Sequence, residues 1–226
     1  MRKFAFGCGG LLLIVVFLAV VFTIGALGKY NTLVKLDQNV NQQWAQVQNV
    51  YQRRADLIPN LVNTVQGAAN FEKSTLIAVT QARASVGRLQ INQSQAPATA
   101  QQLEQFQAAQ GELGNALSRL LVVAERYPEL KANQNFQALQ AQLEGTENRI
   151  AVERGNFNQA VREYNTVVRS FPTFIYAGLM GFHTKPFFNA QPGAERAPEV
   201  NFNFGNNSPA PGANPPQPAA SAAATP

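Results

Sequence analysis

Apolar residues recur every seven positions over two long stretches of this chain. Tyr30, Asp37, Trp44 and Tyr51 share one slot of a heptad, and Leu33, Val40, Val47 and Arg54 share its partner, so mostly large apolar groups line one face of a helix. The second stretch is stronger: Phe136, Leu143, Ile150, Phe157, Tyr164 and Phe171 keep the period, with Leu139, Ala160 and Val167 in the companion slot and Val161 and Val168 widening the stripe. Between them run two more helical patterns, one through Leu61, Val65, Leu76, Val79, Ala82 and Val86, the other through Leu103, Phe106, Leu113, Leu117 and Leu120. No alternating pattern competes, so the fold class is all-α.

Breakers at Asn92 to Pro97 and at Tyr127-Pro128 divide these patterns into helices over about 30–54, 57–89, 98–126 and 133–170. The first boundary has two candidates. The heptad phase runs on through Pro59, and Gly67 to Asn70 offers a later break. The earlier one is favoured, because Asp56 can cap a helix N-terminus while proline is tolerable in a first turn and costly in an interior. The expectation is an antiparallel up-and-down four-helix bundle.

Ahead of the bundle, Gly9 to Gly28 is an uncharged, apolar run of 20 residues, about 30 Å of helix, which matches a bilayer core. It exceeds the usual apolar length of a cleaved signal peptide, although Arg2, Lys3, Ala26 and Gly28 would suit one. Residues 1–28 are therefore read as an uncleaved single-pass transmembrane anchor. Arg2, Lys3 and the amino terminus against Lys29 and Lys35 lean toward the N-terminus inside and the bundle outside. After the bundle domain of residues 29–188, residues 189–226 hold eight of the 13 prolines and little apolar mass, which predicts a disordered Pro/Ala/Asn-rich tail.

Antiparallel first and last helices starting from Tyr30 beside Ser170 pair residues whose numbers sum to about 200. Arg54 then faces Glu147, and Asp37 faces Arg162, so two structural ion pairs are expected: Arg54 with Glu147, and Asp37 with Arg162. They would account for charges in heptad slots that are otherwise apolar. An even number of helices also returns the chain to the membrane at Phe171. The segment that follows is aromatic, broken by Pro172, Gly178, Gly181 and Pro186, and too short to span. Phe174, Tyr176, Phe182 and Lys185 are its candidate interfacial residues, with capping of the bundle end as the competing reading.

Composition mainly excludes. The net charge is +5, yet residues 30–170 carry 13 Lys/Arg against 11 Asp/Glu, with no basic face for nucleic acid. One cysteine, Cys8, allows no intrachain disulfide and precedes the apolar run, where a lipoprotein cysteine would follow one. One histidine, His183, lies beyond the bundle, which removes the Glu-x-x-His di-metal site common in such folds and any catalytic Cys-His pair. The pairs Glu125/Glu129 and Glu144/Glu147 lack a calcium-loop spacing. Arg53-Arg54-x-Asp56 could hold an anion or an internal ion pair. No catalytic, cofactor or metal residues are expected.

Tyr30-Asn31-x-Leu33-Val34, Trp44 and Arg53-Arg54-Ala55-Asp56-Leu57-Ile58-Pro59-Asn60-Leu61-Val62 resemble the opening of the bacterial LemA family. Glu125-x-Tyr127-Pro128-x-Leu130-Lys131-Ala132-Asn133, Thr146-Glu147-Asn148-x-Ile150-Ala151 and Tyr164-Asn165 before Phe171-Pro172 extend the resemblance over roughly residues 30–188. Phe157-Asn158 departs from the family's more usual Tyr-Asn. The resemblance implies a membrane-anchored four-helix bundle without an accepted catalytic activity. The expected function is a non-catalytic scaffold or adaptor in the bacterial inner membrane. Its partners would be lipid around the N-terminal helix and another membrane or envelope protein or a second copy of itself. A lipid-contacting surface sensor or remodelling protein is the alternative.

Overall fold

The structure, a computed structural model, describes residues 2–67, 72–88 and 95–189, with only part of the side chains over 2–27. The described residues form helices alone: α1 (Arg2–Gln66), α2 (Lys73–Arg88), α3 (Ala100–Ala124), α4 (Pro128–Lys131), α5 (Gln134–Arg169) and α6 (Thr173–Leu179). Local chemistry sets several ends. Thr99 and Gln102 make a reciprocal capping box on α3, and the Asn133 side chain accepts from the N–H groups of Asn135 and Phe136 at the start of α5.

The break expected near residue 56 does not occur. α1 runs through Pro59 and ends at Gln66, so the later candidate at Gly67 is where the helix stops and α2 is correspondingly short. Pro59 has no N–H for the carbonyl of Ala55, four residues back. Arg83 supplies the missing donor, its Nε lying 3.1 Å from the Ala55 oxygen. On either side of the proline, Ile58, Leu61 and Val65 are all buried, and this continued apolar stripe holds the helix in place.

α1 packs chiefly on α5 and α2 on α3. The core divides into two clusters along the bundle. The one nearer residue 30 joins Leu33, Val40, Trp44, Val47 and Tyr51 of α1 to Leu103, Phe106, Ile150, Phe157, Tyr164 and Val168. The other joins Ile58, Leu61 and Val65 to α2 through Leu76 and Val79, to α3 through Leu113, Leu117 and Leu120, and to Phe136 and Leu143. α2 contributes nothing to the first cluster. Its place there is taken by Ala177 and Phe188 from the chain after α5 and by Ala96 before α3. Trp44 is the hub, with ring centroids 5.2 Å from Phe106, 5.5 Å from Phe157 and 6.1 Å from Phe188.

After α5 the chain turns at Phe171-Pro172, forms α6, and turns again at Gly181, whose φ of 78° favours glycine. Phe182 N–H donates to the Ala177 carbonyl and Met180 N–H to that of Tyr176, which satisfies the carbonyls at the end of α6. Residues 182–189 then run back along the bundle without regular structure.

Among the described residues no helix is long and apolar enough to cross a membrane. The anchor expected over 1–28 depends in part on Leu11, Leu12, Leu18, Phe22 and Ile24, whose side chains lie outside the described ones. The stretch has helical backbone as part of α1, and Leu13, Ile14, Val15, Val16, Phe17, Val20 and Val21 are all between 50% and 71% exposed. The tail expected over 189–226 lies outside the described residues from 190 onward.

The Pro59–Arg83 arrangement predicts a coupling. Arg83→Ala should cost about 1 kcal/mol in the native chain, where Arg83 replaces the N–H that Pro59 lacks. In a Pro59→Ala background, which restores the backbone N–H, the same change should cost close to nothing. Urea midpoints of the four proteins measure this, and equal costs in both backgrounds would reject it.

Candidate functional site

Arg54 occupies the heptad slot of Leu33, Val40 and Val47, so the helix turns it inward, and it is only 3% exposed. It lies between the two apolar clusters. Its Nη1 donates to Glu147 Oε1 of α5 at 2.7 Å, and its Nη2 donates to the Gln110 carbonyl of α3 at 3.2 Å and to the Gln110 side-chain oxygen. The guanidinium carbon sits 5.1 Å from the centre of the Tyr51 ring. Nε is buried with no hydrogen-bond partner. Gln110 is itself buried, whereas the Glu147 side chain is half exposed.

These contacts commit Arg54 to the protein. Two of its donors are held by an opposite charge and a buried amide, which leaves little for an external anion. Burial pushes the Tyr51 phenol above its ordinary value, opposed by the guanidinium groups of Arg154 and Arg54, so the ring is a neutral hydroxyl near neutral pH.

Beside this layer an open groove of about 620 Å³ runs between α1, α2 and α3, its lining including Gln48, Asn49, Gln52, Arg83 and the edges of Tyr51 and Phe106. Arg83 is already engaged with Ala55, and Gln52 donates to Asp56 at 2.8 Å. Amides and aromatic edges can bind by hydrogen bonding and contact. They offer no general base, nucleophile or metal ligand set. Among the described residues no group of three or more His, Cys, Asp or Glu side chains comes together.

A second polar cluster lies toward residue 30. The register expected Asp37 against Arg162, and this pairing is corrected: Asp37 Oδ1 is 2.7 Å from Lys185 Nζ, while its Oδ2 accepts from Asn41 Nδ2 at 3.1 Å. Arg162 sits on the exposed face of α5, one position past Val161, which points into the core. Lys185 reaches the seam instead because the returning segment lies over it, with Nζ 5.5 Å from the Tyr164 ring centre. Burial, and then the Asp37 charge, push the Tyr164 phenol up to about 12.

The interfacial candidates are likewise divided. Phe174 is exposed, but Tyr176 is buried and Phe182 packs on the first core cluster, its ring 5.9 Å from Tyr30. With Lys185 held by Asp37, three of the four expected interfacial residues face the bundle. The cause is the turn of α6, which puts Thr173, Tyr176 and Ala177 on one side and Phe174, Ile175 and Leu179 on the other.

Two asparagines that spacing did not single out hold the returning segment. Asn158 donates to the Phe188 carbonyl at 2.9 Å and accepts from its N–H at 2.8 Å, and seven residues later Asn165 does the same with Lys185, both at 2.8 Å. Each amide imitates a strand partner for an otherwise unpaired backbone. Arg154 adds a third hold, donating to the Asn189 carbonyl at 3.1 Å and lying over the Phe188 ring at 4.7 Å. Gln110 also escaped the sequence reading, and Lys185 was expected in the interfacial layer rather than on Asp37. A polar residue repeated at seven-residue spacing beside Phe157 and Tyr164 was a usable signal for the asparagines. Gln110 had none, since glutamine is abundant throughout this chain.

Two outcomes follow for stability. Glu147→Ala should cost about 3 kcal/mol or more, because it strands a buried guanidinium, while Arg54→Met should cost less, about 2 kcal/mol, because the carboxylate left behind can turn to water and only the buried Gln110 oxygens lose a donor. Urea denaturation of both variants reads this asymmetry, and a mild Glu147→Ala would contradict it. Asn158→Ala should free the Phe188 amide to hydrogen exchange, at a local cost of about 2 kcal/mol for two hydrogen bonds, and leave the Lys185 amide protected by Asn165. Loss of protection at both amides would show that the clamps are not independent.

Comparison with known proteins bears on what this architecture is. Two magnetosome proteins MamQ of Paramagnetospirillum magneticum are each 26% identical over 204 residues, covering 82% of this chain and 74% of theirs. Magnetosome protein MamQ of Magnetospirillum gryphiswaldense is 25% identical over 191 residues, covering 78% of this chain and 70% of its own. Protein LemA of Metamycoplasma hominis is 21% identical over 170 residues, covering 75% and 73%. The sequence model of the LemA family matches residues 43–202, from the middle of α1 past the asparagine-held segment. The chain belongs to the LemA family.

Proposed function

We propose that this chain is a single-pass, non-catalytic adaptor of the bacterial inner membrane, with its N-terminus inside and its helical bundle presented outside to another protein or to a second copy of itself. The observation that carries the proposal is the unbroken α1, which bears exposed apolar side chains at Leu13 to Phe17, Val20 and Val21 and whose later turns are the first helix of the bundle. A run of 20 uncharged residues whose described large apolar side chains, Leu13 to Phe17, Val20 and Val21, are exposed has no stable place in water. In a bilayer it would mount the bundle without a flexible joint. The bundle offers a surface rich in Gln and Asn, with its buried charge already neutralised, which suits protein contact more than chemistry. Similarity to proteins named for the magnetosome is in keeping with a part in organising a membrane structure.

The test uses the full chain in its own membranes, with a photo-crosslinking residue at exposed bundle positions such as Gln42 or Asn148. The chain should stay with the membrane through alkaline carbonate extraction and give a discrete crosslinked adduct from at least one bundle face. Release by carbonate would sink the anchor, and absence of any discrete adduct from all faces would sink the adaptor.

A further inference from the structure

α6 carries the largest apolar exposure in the described part of the chain outside the anchor run. Phe171 is 81% exposed, Leu179 77% and Phe174 53%, with Ile175 and Met180 beside them and the Phe171 and Phe174 rings 6.3 Å apart. The sequence from Phe171 to Phe182 contains no charged residue. The opposite side of the same short helix is fully engaged, with Thr173, Tyr176 and Ala177 buried. This patch is therefore a held face rather than a loose end.

Its position names its occupant. α6 packs on α1 as well as α5, and a Cβ at Gly25 would lie 3.6 Å from the Tyr176 hydroxyl. Gly25 is inside the uncharged run that ends at Gly28, about 4.5 Å before its end at 1.5 Å per residue. α6 is thus level with the last turn of the apolar run. Lys29 and Arg169 are exposed just beyond, where basic groups would meet headgroups.

We infer that the outward face of α6 inserts into the interfacial layer of one leaflet of the phospholipid bilayer, as a second membrane contact beside α1. The inference rests on the anchor reading above and adds a specific surface to it: Phe171, Phe174, Ile175, Leu179 and Met180, with Tyr176 and Phe182 turned away from lipid. Aromatic and aliphatic groups at the acyl–headgroup boundary gain from burial there while the turns at Pro172 and Gly181 stay within reach of water and headgroups. The contact would fix the rotation of α1 about its own axis, because only one side of that helix carries α6.

The experiment needs no substitution. The full native chain is reconstituted in phosphatidylcholine/phosphatidylglycerol vesicles containing a lipid with a photoactivatable carbene near the headgroup end of its acyl chain, and adducts are mapped by mass spectrometry. A parallel sample is oxidised by hydroxyl radicals from the water phase. Carbene adducts are expected in the apolar run of α1 and on the α6 peptide, with Phe174 and Met180 oxidised several-fold less, relative to their intrinsic reactivity, than exposed bundle residues such as Val122 and Val152 in the same sample. Adducts in α1 alone would overturn the inference and leave the anchor standing. Absence of adducts in α1 would remove the anchor reading as well. An α6 shielded from both reagents would mean that protein covers it, a second copy or another partner, and would equally overturn lipid contact.

Discussion

A guanidinium in the middle of a helical bundle must be neutralised where it lies, and this constraint organises the molecule. Arg54 finds its charge partner on α5 and its amide partner on α3, so one residue ties three helices at one level. Sliding α1 by a heptad against α5 would set Gln140 or Arg154 where Glu147 stands and leave the buried charge without a carboxylate, at a cost well beyond the loss of a few packing contacts. Apolar clusters tolerate small shifts, and the polar layer does not. With Arg54 and Glu147 in place, Trp44 meets Phe157 and Asp37 comes under the path of Lys185.

The same layer divides the core into halves built differently. On the Gln66 side five helices share the burial, the short α4 through Leu130. On the other side α2 is absent, and an extended strand of chain substitutes for it. A helix satisfies its own backbone, whereas an extended segment laid on a helix does not. Asn158 and Asn165 supply the missing partners, and Phe188 supplies the apolar mass. The half-bundle nearer residue 30 thus depends on residues far along the chain.

Heptad spacing made much of this legible: the helical class, the long α5, and the antiparallel register that brings Arg54 opposite Glu147 all follow from apolar positions and rise per residue. Pro59 was misjudged because local propensity argues against proline in a helix, while the deciding facts were tertiary: buried Ile58, Leu61 and Val65, and an arginine from α2 serving the orphaned carbonyl. Asp37 was given a partner on α5 because periodicity describes helices only. Lys185 arrives on a segment with no period, placed by two turns and two amide clamps. Such contacts depend on where the chain returns, and that is fixed by the whole fold rather than by a neighbourhood in sequence.

A helix of 65 residues is about 98 Å long, and α1 is packed along its later half chiefly on α5. Mechanically it is a lever. A tilt of about one degree at its first turns displaces the end at Gln66 by about 1.7 Å on that length. The far end of the bundle would therefore amplify small changes in the orientation of its base, and a single residue inserted between Gly28 and Leu33 would swing everything beyond it by about 100° around the axis.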